Sequence, residues 1–188
     1  MGCLVRVMRV HVLRLGHRPA RDKRVTTHLM LAARAFGASG AMYTGMRDLS
    51  LEESVRQVAS DWGGDFSIEY AERWKSVVGE WRGVGRIVHL TMYGLPIQDV
   101  LEEIRGVDSD MLIVVGGMKV PGEVYDIVDW NLAVTSQPHS EVSALAVFLH
   151  ELYGGRELGA VFGDARLRIA PQARGKSVEE QPADGLKI

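Results

Sequence analysis

A single cysteine, Cys3, stands in a chain of 188 residues. That scarcity excludes a disulfide framework and a cysteine-based zinc site. It fits a reducing, cytoplasmic setting. No apolar run approaches the roughly 20 residues that a membrane-spanning helix needs, so no membrane partner is expected. The opening MGCLVRVMRVHV is broken by arginines and lacks a small-residue cleavage site, which makes it a poor signal peptide. Met1-Gly2-Cys3 has Arg6 where a myristoylation signal needs Ser or Thr. Met8 is a second candidate start.

Several catalytic signatures are missing too. His11, His17, His28, His89, His139 and His150 show no H-E-x-x-H or related ligand spacing, so no metal is expected. There is no G-x-S-x-G and no G-x-x-x-x-G-K-[ST]. Gly83-Val84-Gly85 precedes its strand, the wrong side for a dinucleotide fingerprint. Trp62, Trp74, Trp81 and Trp130 read as core or interface anchors.

What is present is a foldable chain with lopsided charge. It is 46% hydrophobic, which excludes wholesale disorder. The net charge of −2 hides an asymmetry: Arg6, Arg9, Arg14, Arg18, Arg21, Lys23, Arg24 and Arg34 face one acid, Asp22, in residues 1–34. One basic face suffices for nucleic-acid binding.

Strand and helix patterns alternate. Strands are predicted at Val10–Leu15, Ala41–Thr44, Phe66–Tyr70, Arg86–Met92, Met111–Gly116 and Leu132–Thr135. Between them, Ser50 and Glu53 form a capping box for one helix, and Glu72–Trp81 carries a weaker helical pattern containing Gly79. Ile97–Ile104 and Val120–Ile127 follow. The last helix starts near Pro138, with Val142, Leu145, Ala146 and Leu149 on one face. This alternation predicts an α/β fold, a mostly parallel sheet with helices on both faces. After Gly154-Gly155, Leu158–Phe162 and Arg166–Ile169 around Gly163-Asp164 signal a β-hairpin. A polar tail follows. The predicted organisation is an extension over 1–9, a domain over 10–154, and a hairpin with its tail over 155–188.

The segment LRLGHRPARDKRVTTH combines a strand, a Gly-His-Arg-Pro turn and the cations Arg18, Arg21, Lys23 and Arg24, with Thr26 and Thr27 opening a helix. Cations on a loop at the C-terminal edge of an α/β sheet lie where such folds bind ligands. Arginine forks match phosphate oxygens, so a polyanion is the expected partner.

Three later loops are further candidates. At HLTMYGLP, the residues alone favour an ordinary strand-to-helix turn. At VGGMKVP, Gly116-Gly117 either serves a tight turn or lets a ligand approach the backbone; both readings stand. At TSQPHSE, the run of polar side chains exceeds what capping by Pro138 and Glu141 requires, and reads as a ligand cradle.

Together, LRLGHRPARDKRVTTH, HLTMYGLP, LIVVGGMKVP and QPHSEVSALAVFL resemble the archaeal tRNA (cytidine-56) 2′-O-methyltransferases of the SPOUT superfamily. The resemblance runs from about Val10 to Lys176. It implies an α/β-knot with a C-terminal trefoil, a rare exception to unknotted topology. It also implies a homodimer, with S-adenosyl-L-methionine as cofactor and tRNA as substrate. The implied cofactor loops hold Leu90, Met92, Tyr93 and Gly94; Gly116, Gly117, Met118, Lys119 and Val120; and Thr135, Ser136, Gln137, Pro138, His139, Ser140 and Glu141. The implied catalytic arginine is one of Arg18, Arg21 and Arg24, acting as an electrostatic stabiliser because a guanidinium does not give up its proton. His17 is a rival base. The implied RNA contacts are Arg18, Arg21, Lys23 and Arg24, joined by Arg174 and Lys176 in the tail, with Arg166 and Arg168 as further candidates. A non-catalytic RNA-binding module and an enzyme acting on a phosphorylated small molecule are the alternatives.

Overall fold

The computed structural model describes residues 8–117 and 119–181. Cys3 and the first seven residues, Met118, and the end of the tail lie outside the described residues.

Six strands form one parallel sheet: β1 (Val10–His17), β2 (Gly40–Gly45), β3 (Ser67–Tyr70), β4 (Gly85–Pro96), β5 (Asp110–Val115) and β6 (Trp130–Ala133). Their spatial order is β3-β2-β1-β5-β4-β6, with every neighbouring pair parallel. All six expected strands are present, within a few residues at each end. β5 is buried along its whole length, as its unbroken apolar run requires.

The helices are α1 (Pro19–Ala35), α2 (Leu49–Trp62), α3 (Trp74–Trp81), α4 (Ile97–Arg105), α5 (Gly122–Ile127) and α6 (Glu141–Tyr153). Alternation along the strands splits the core in two. Val10 and Val12 pack with Leu29, Met30, Leu145 and Phe148 on one face. Leu13 and Leu15 pack with Val77, Val78 and Val124 on the other.

Three local readings need correction. The cationic segment is not a loop. Pro19 takes the first helical position, where its missing N–H costs nothing, so Arg21, Lys23 and Arg24 ride on α1. Thr26 and Thr27 lie inside that helix, and the Thr27 hydroxyl donates to the Lys23 carbonyl at 2.9 Å. The cap of α2 is Asp48 rather than Ser50: its carboxylate accepts from the Ser50 and Leu51 amides at 3.0 and 3.1 Å. α6 starts at Glu141, capped by Ser140, whose hydroxyl accepts from the Ser143 amide at 3.2 Å; Pro138 lies upstream.

The hairpin exists, but its strands are β7 (Leu167–Ala170) and β8 (Ser177–Glu180). Residues 158–162 do not form its first strand; Leu158 belongs to a short 3-10 turn, Arg156–Gly159. The C-terminal segment clasps the end of α2. Asp164 accepts from the Gly64 amide at 2.9 Å, Arg166 donates to Asp61 at 2.8 Å, and Arg34 lies 5.0 Å from the centre of the Phe162 ring. Among the described residues, no helix is long and apolar enough to cross a membrane.

Candidate active site

The strand order reverses direction at β1 and β5, and crevices at such a switch point open outside the C-terminal strand ends. A cleft of about 380 Å³ opens there. Three segments wall it: His89–Tyr93, then Val115–Gly117 with Val120, then His139–Glu141.

The first wall is a departure from the sheet. β4 pairs Leu90 with Leu132, leaves the ladder, and returns with Leu95 against the same Leu132. Residues 91–94 therefore bulge out, placing Thr91, Met92 and Tyr93 on the cleft. Gly94 closes the bulge. A Cβ there would run into the Leu132 amide and the Asn131 backbone, so only glycine lets the strand rejoin. HLTMYGLP is thus more than an ordinary turn.

The second wall follows β5. A Cβ on Gly116 would collide with the Val120 side chain, and one on Gly117 would stand 3.0 Å from Arg14 Nη1. Arg14 lies behind the cleft walls, touching Gly117 and near Glu141, and was unforeseen. Only 2% exposed, it donates to the Leu15 carbonyl at 3.3 Å and lies 3.7 Å from Glu141 Oε1. Its Nε has no partner among the described residues. Burial pulls its pKa down, and Glu141 and Asp22 push it back up. An arginine inside an apolar strand announces nothing by itself, which is why the sequence pattern passed over it.

The third wall is the approach to α6. His139 Nδ1 lies 2.6 Å from the Gln137 carbonyl. A carbonyl only accepts, so Nδ1 carries the proton and Nε2 the lone pair.

His89, at the head of HLTMYGLP, and Tyr125 also line the cleft, and neither was among the expected cofactor residues. His89 is fully buried; its Nδ1 meets Asn131 Oδ1 at 2.8 Å, and its Nε2 has no partner among the described residues. The Asn131 amide donates to the Tyr125 carbonyl at 2.8 Å, so Asn131 Oδ1 accepts from His89. Burial lowers the pKa of His89, keeping the ring neutral.

Of the anticipated cofactor residues, Leu90, Met92, Tyr93, Gly116, Gly117, Val120, His139, Ser140 and Glu141 line this one cleft. Gly94, Lys119, Thr135, Ser136, Gln137 and Pro138 do not line it; Thr135 instead accepts from the Gln137 amide at 3.2 Å. Met118 lies outside the described residues.

The basic segment follows β1 directly, at the start of α1, and Arg14 of β1 lies 3.7 Å from Glu141 on the cleft wall. Arg18 forks onto Asp22 at 2.8 and 3.3 Å, so this cation already has an anionic partner. Lys23 and Arg24 are exposed. His17 points inward. It is fully buried, with Nδ1 2.9 Å from Thr26 Oγ1 and Nε2 3.6 Å from Asp48 Oδ2. Arg174 and Lys176 are exposed in the β7–β8 turn.

A family model described as tRNA ribose 2′-O-methyltransferase, aTrm56, matches residues 62–179. The chain belongs to this family. The tRNA (cytidine(56)-2′-O)-methyltransferase of Methanothermobacter thermautotrophicus is 53% identical over 174 residues, covering 92% of this chain and 97% of the relative. The enzyme of the same name from Methanothrix thermoacetophila is 55% identical over 172 residues, covering 91% and 97%. Among solved structures, the TrmH/SpoU tRNA modifying enzyme of A. aeolicus superposes with a TM-score of 0.58 at 18% identity, covering 82% of this chain and 78% of that one. The SpoU methyltransferase AviRb of Streptomyces viridochromogenes, solved with AdoMet, gives 0.57 at 17% identity, covering 83% and 61%. At such identities these structures speak for the fold of the family alone.

Proposed function

We propose that this protein transfers a methyl group from S-adenosyl-L-methionine to the 2′-hydroxyl of cytidine 56 in the T-loop of tRNA. The observation that carries this reading is the convergence of three separate loops on one cleft beside a cationic helix start, in a chain of this family.

The cleft suits the methyl donor. Gly116 and Gly117 bring bare backbone to its wall, and a side chain at either would crowd Val120 or Arg14. His89 adds a buried Nε2 with no partner among the described residues, an acceptor for a hydroxyl or amine of a nucleoside. Leu90, Met92, Tyr93, Gly116, Gly117, Val120, His139 and Ser140 would hold the molecule. When bound, it supplies an electrophilic methyl on a positively charged sulfur.

The remaining steps fall to the chain's own groups. Lys23 and Arg24, with Arg18 and Arg21, hold the phosphates flanking the target ribose; Arg174 and Lys176, on the hairpin that clasps the far ends of α1 and α2, offer a second, separate contact for the RNA. An arginine of α1 stabilises negative charge growing on the 2′-oxygen. The reaction is an in-line displacement, so alignment of oxygen, methyl and sulfur dominates the rate. Burial removes His17 from the ribose; it ties β1 to α1 and to the cap of α2. The family also supports a C-terminal trefoil knot, a homodimer and a cytoplasmic site of action.

The test is methyl transfer from labelled S-adenosyl-L-methionine to an unmodified tRNA transcript, with the modified nucleotide mapped. Label in 2′-O-methylcytidine at position 56 is the expected result. Light scattering at a mass of two chains tests the dimer.

A further inference from the structure

Where β2 passes into α2, two apolar side chains stand out in solvent. Met46 is 62% exposed and Leu49, the first residue of α2, is 65% exposed. We propose that Met46 and Leu49 form an apolar seat for the unstacked base of the target nucleotide. The proposal rests on the methyl-transfer reading above. It adds to it a pair of residues that grip base surface rather than phosphate.

Folding does not account for these two side chains. α2 is capped by the Asp48 carboxylate, which holds the Ser50 and Leu51 amides. An apolar staple at a helix start joins the residue before the cap to the fourth residue of the helix. Here those positions are Arg47 and Glu52, and they form an ion pair at 3.2 Å instead. The core-facing side of α2 is supplied by Leu51 and Val55. Met46 and Leu49 thus serve neither cap nor core.

The segment that carries them is stitched to the turn that carries the α1 cations. The Met46 amide donates to the His17 carbonyl at 2.9 Å, and the Gly16 amide donates to the Thr44 hydroxyl at 3.2 Å. Gly45 has a φ of 107° and packs so closely on the His17 backbone that a Cβ would collide with it. Arg18 follows His17 directly. Arg47 is held as well: its guanidinium lies 5.9 Å from the centre of the Tyr70 ring, and the Tyr70 hydroxyl donates to the Gly45 carbonyl at 3.0 Å. A surface fixed in advance loses little freedom when it binds.

Position and charge select the occupant. β2, β1 and β5 are parallel neighbours, so their C-terminal ends share one edge of the sheet. Along that edge stand Met46 and Leu49, then the start of α1, then the Val115–Gly117 wall of the cleft. Two strand spacings separate the β2 end from that wall by about 10 Å, within reach of the base of a nucleotide whose ribose meets the methyl donor. The Arg47 side chain, 60% exposed, continues the positive charge of α1 on this side, which suits a polyanion. A base lifted out of a tRNA loop bares its ring faces. A thioether is adaptable enough to pack against a ring, and such a contact tolerates any base.

The experiment compares wild type with the double variant Met46→Ala/Leu49→Ala. Both side chains are exposed, so the melting temperature should stay within about 2 °C. Dissociation constants for an unmodified tRNA transcript are measured over a range of salt, beside that for S-adenosyl-L-methionine. Affinity for tRNA should fall at least about fivefold. The salt slope should match wild type, because no phosphate contact is lost, and cofactor affinity should not move. The same tRNA made without the base at position 56 should bind wild type more weakly and bind both proteins equally, since residue pair and base form one interaction. A smaller loss in tRNA affinity, an altered salt slope, or an abasic tRNA that still separates the two proteins would overturn the proposal. So would a variant with the mass of one chain where wild type has two, which would make this face a contact between copies. Failure of wild-type transfer to position 56 would instead count against the methyl-transfer reading.

Discussion

Arg14, near the C-terminal end of β1, lies 3.7 Å from Glu141 at the first turn of α6, with Gly117 folded over its guanidinium. One buried cation thus joins two of the three cleft walls. Replacing a buried charge by an apolar side chain of similar length is often neutral or stabilising. Glu141 keeps a third of its side-chain surface in solvent, so it tolerates losing its partner. Arg14→Met should therefore change thermal stability little while cutting methyl transfer at least about tenfold. A melting curve beside a rate measurement checks both halves. A folded variant with full activity would remove Arg14 from the site.

Gly94 makes a sharper demand, because a side chain there would meet backbone atoms of β6 rather than a flexible neighbour. Gly94→Ala should destabilise the protein by about 1–3 kcal/mol, the range for forced overpacking. It should also weaken cofactor binding by displacing residues 91–93. Urea titration and calorimetry on the same preparation provide the check.

The cations of α1 act through charge. Lys23→Ala and Arg24→Ala should each weaken tRNA binding and lower the slope of log K against log salt by about 1. Affinity for S-adenosyl-L-methionine should not move. A salt slope equal to wild type would place those residues off the RNA.

Acid should weaken the fold before its carboxylates titrate. Burial is the largest cause lowering the pKa of His11, His17 and His89. The unfolded chain, with histidine near 6.5, then binds protons that the folded chain refuses. The stability these groups contribute is complete above about pH 6.5 and is lost as pH falls below it. Asp48 and Glu52 are shifted down as carboxylates, Asp48 chiefly by the Ser50 hydrogen bond and Glu52 by Arg56 and Tyr43 against its burial. Their contribution is lost only at more acid pH. Urea midpoints should therefore fall between pH 7.5 and 5.5, and equal midpoints would refute the buried-histidine account.

How far the sequence could be read followed how much each element depends on burial. β5 and α6 were legible because they must be apolar on two faces and on one stripe. The start of α1 was not, because Gly-His-Arg-Pro carries turn composition, and a proline beginning a helix looks the same as one in a loop. β8, Ser177–Glu180, is largely exposed, so no hydrophobic pattern marked it. The cofactor loops were found by their motifs. Tyr125 and Arg14 were not: Tyr125 comes from a short helix with one buried residue, and Arg14 meets the cleft walls from behind, out of a strand whose pattern is that of the core.

The bulge of β4 has a consequence for how such a site changes. Leu90 and Leu95 meet the same partner, so the sheet treats them as a single rung. The four residues between are a detour that the ladder does not register. Side chains there, Gly94 apart, can be exchanged without disturbing strand order or core. The wall of the cleft is in this sense an interchangeable part, and variation in what this scaffold grips can accumulate there while β4 keeps its register against β6.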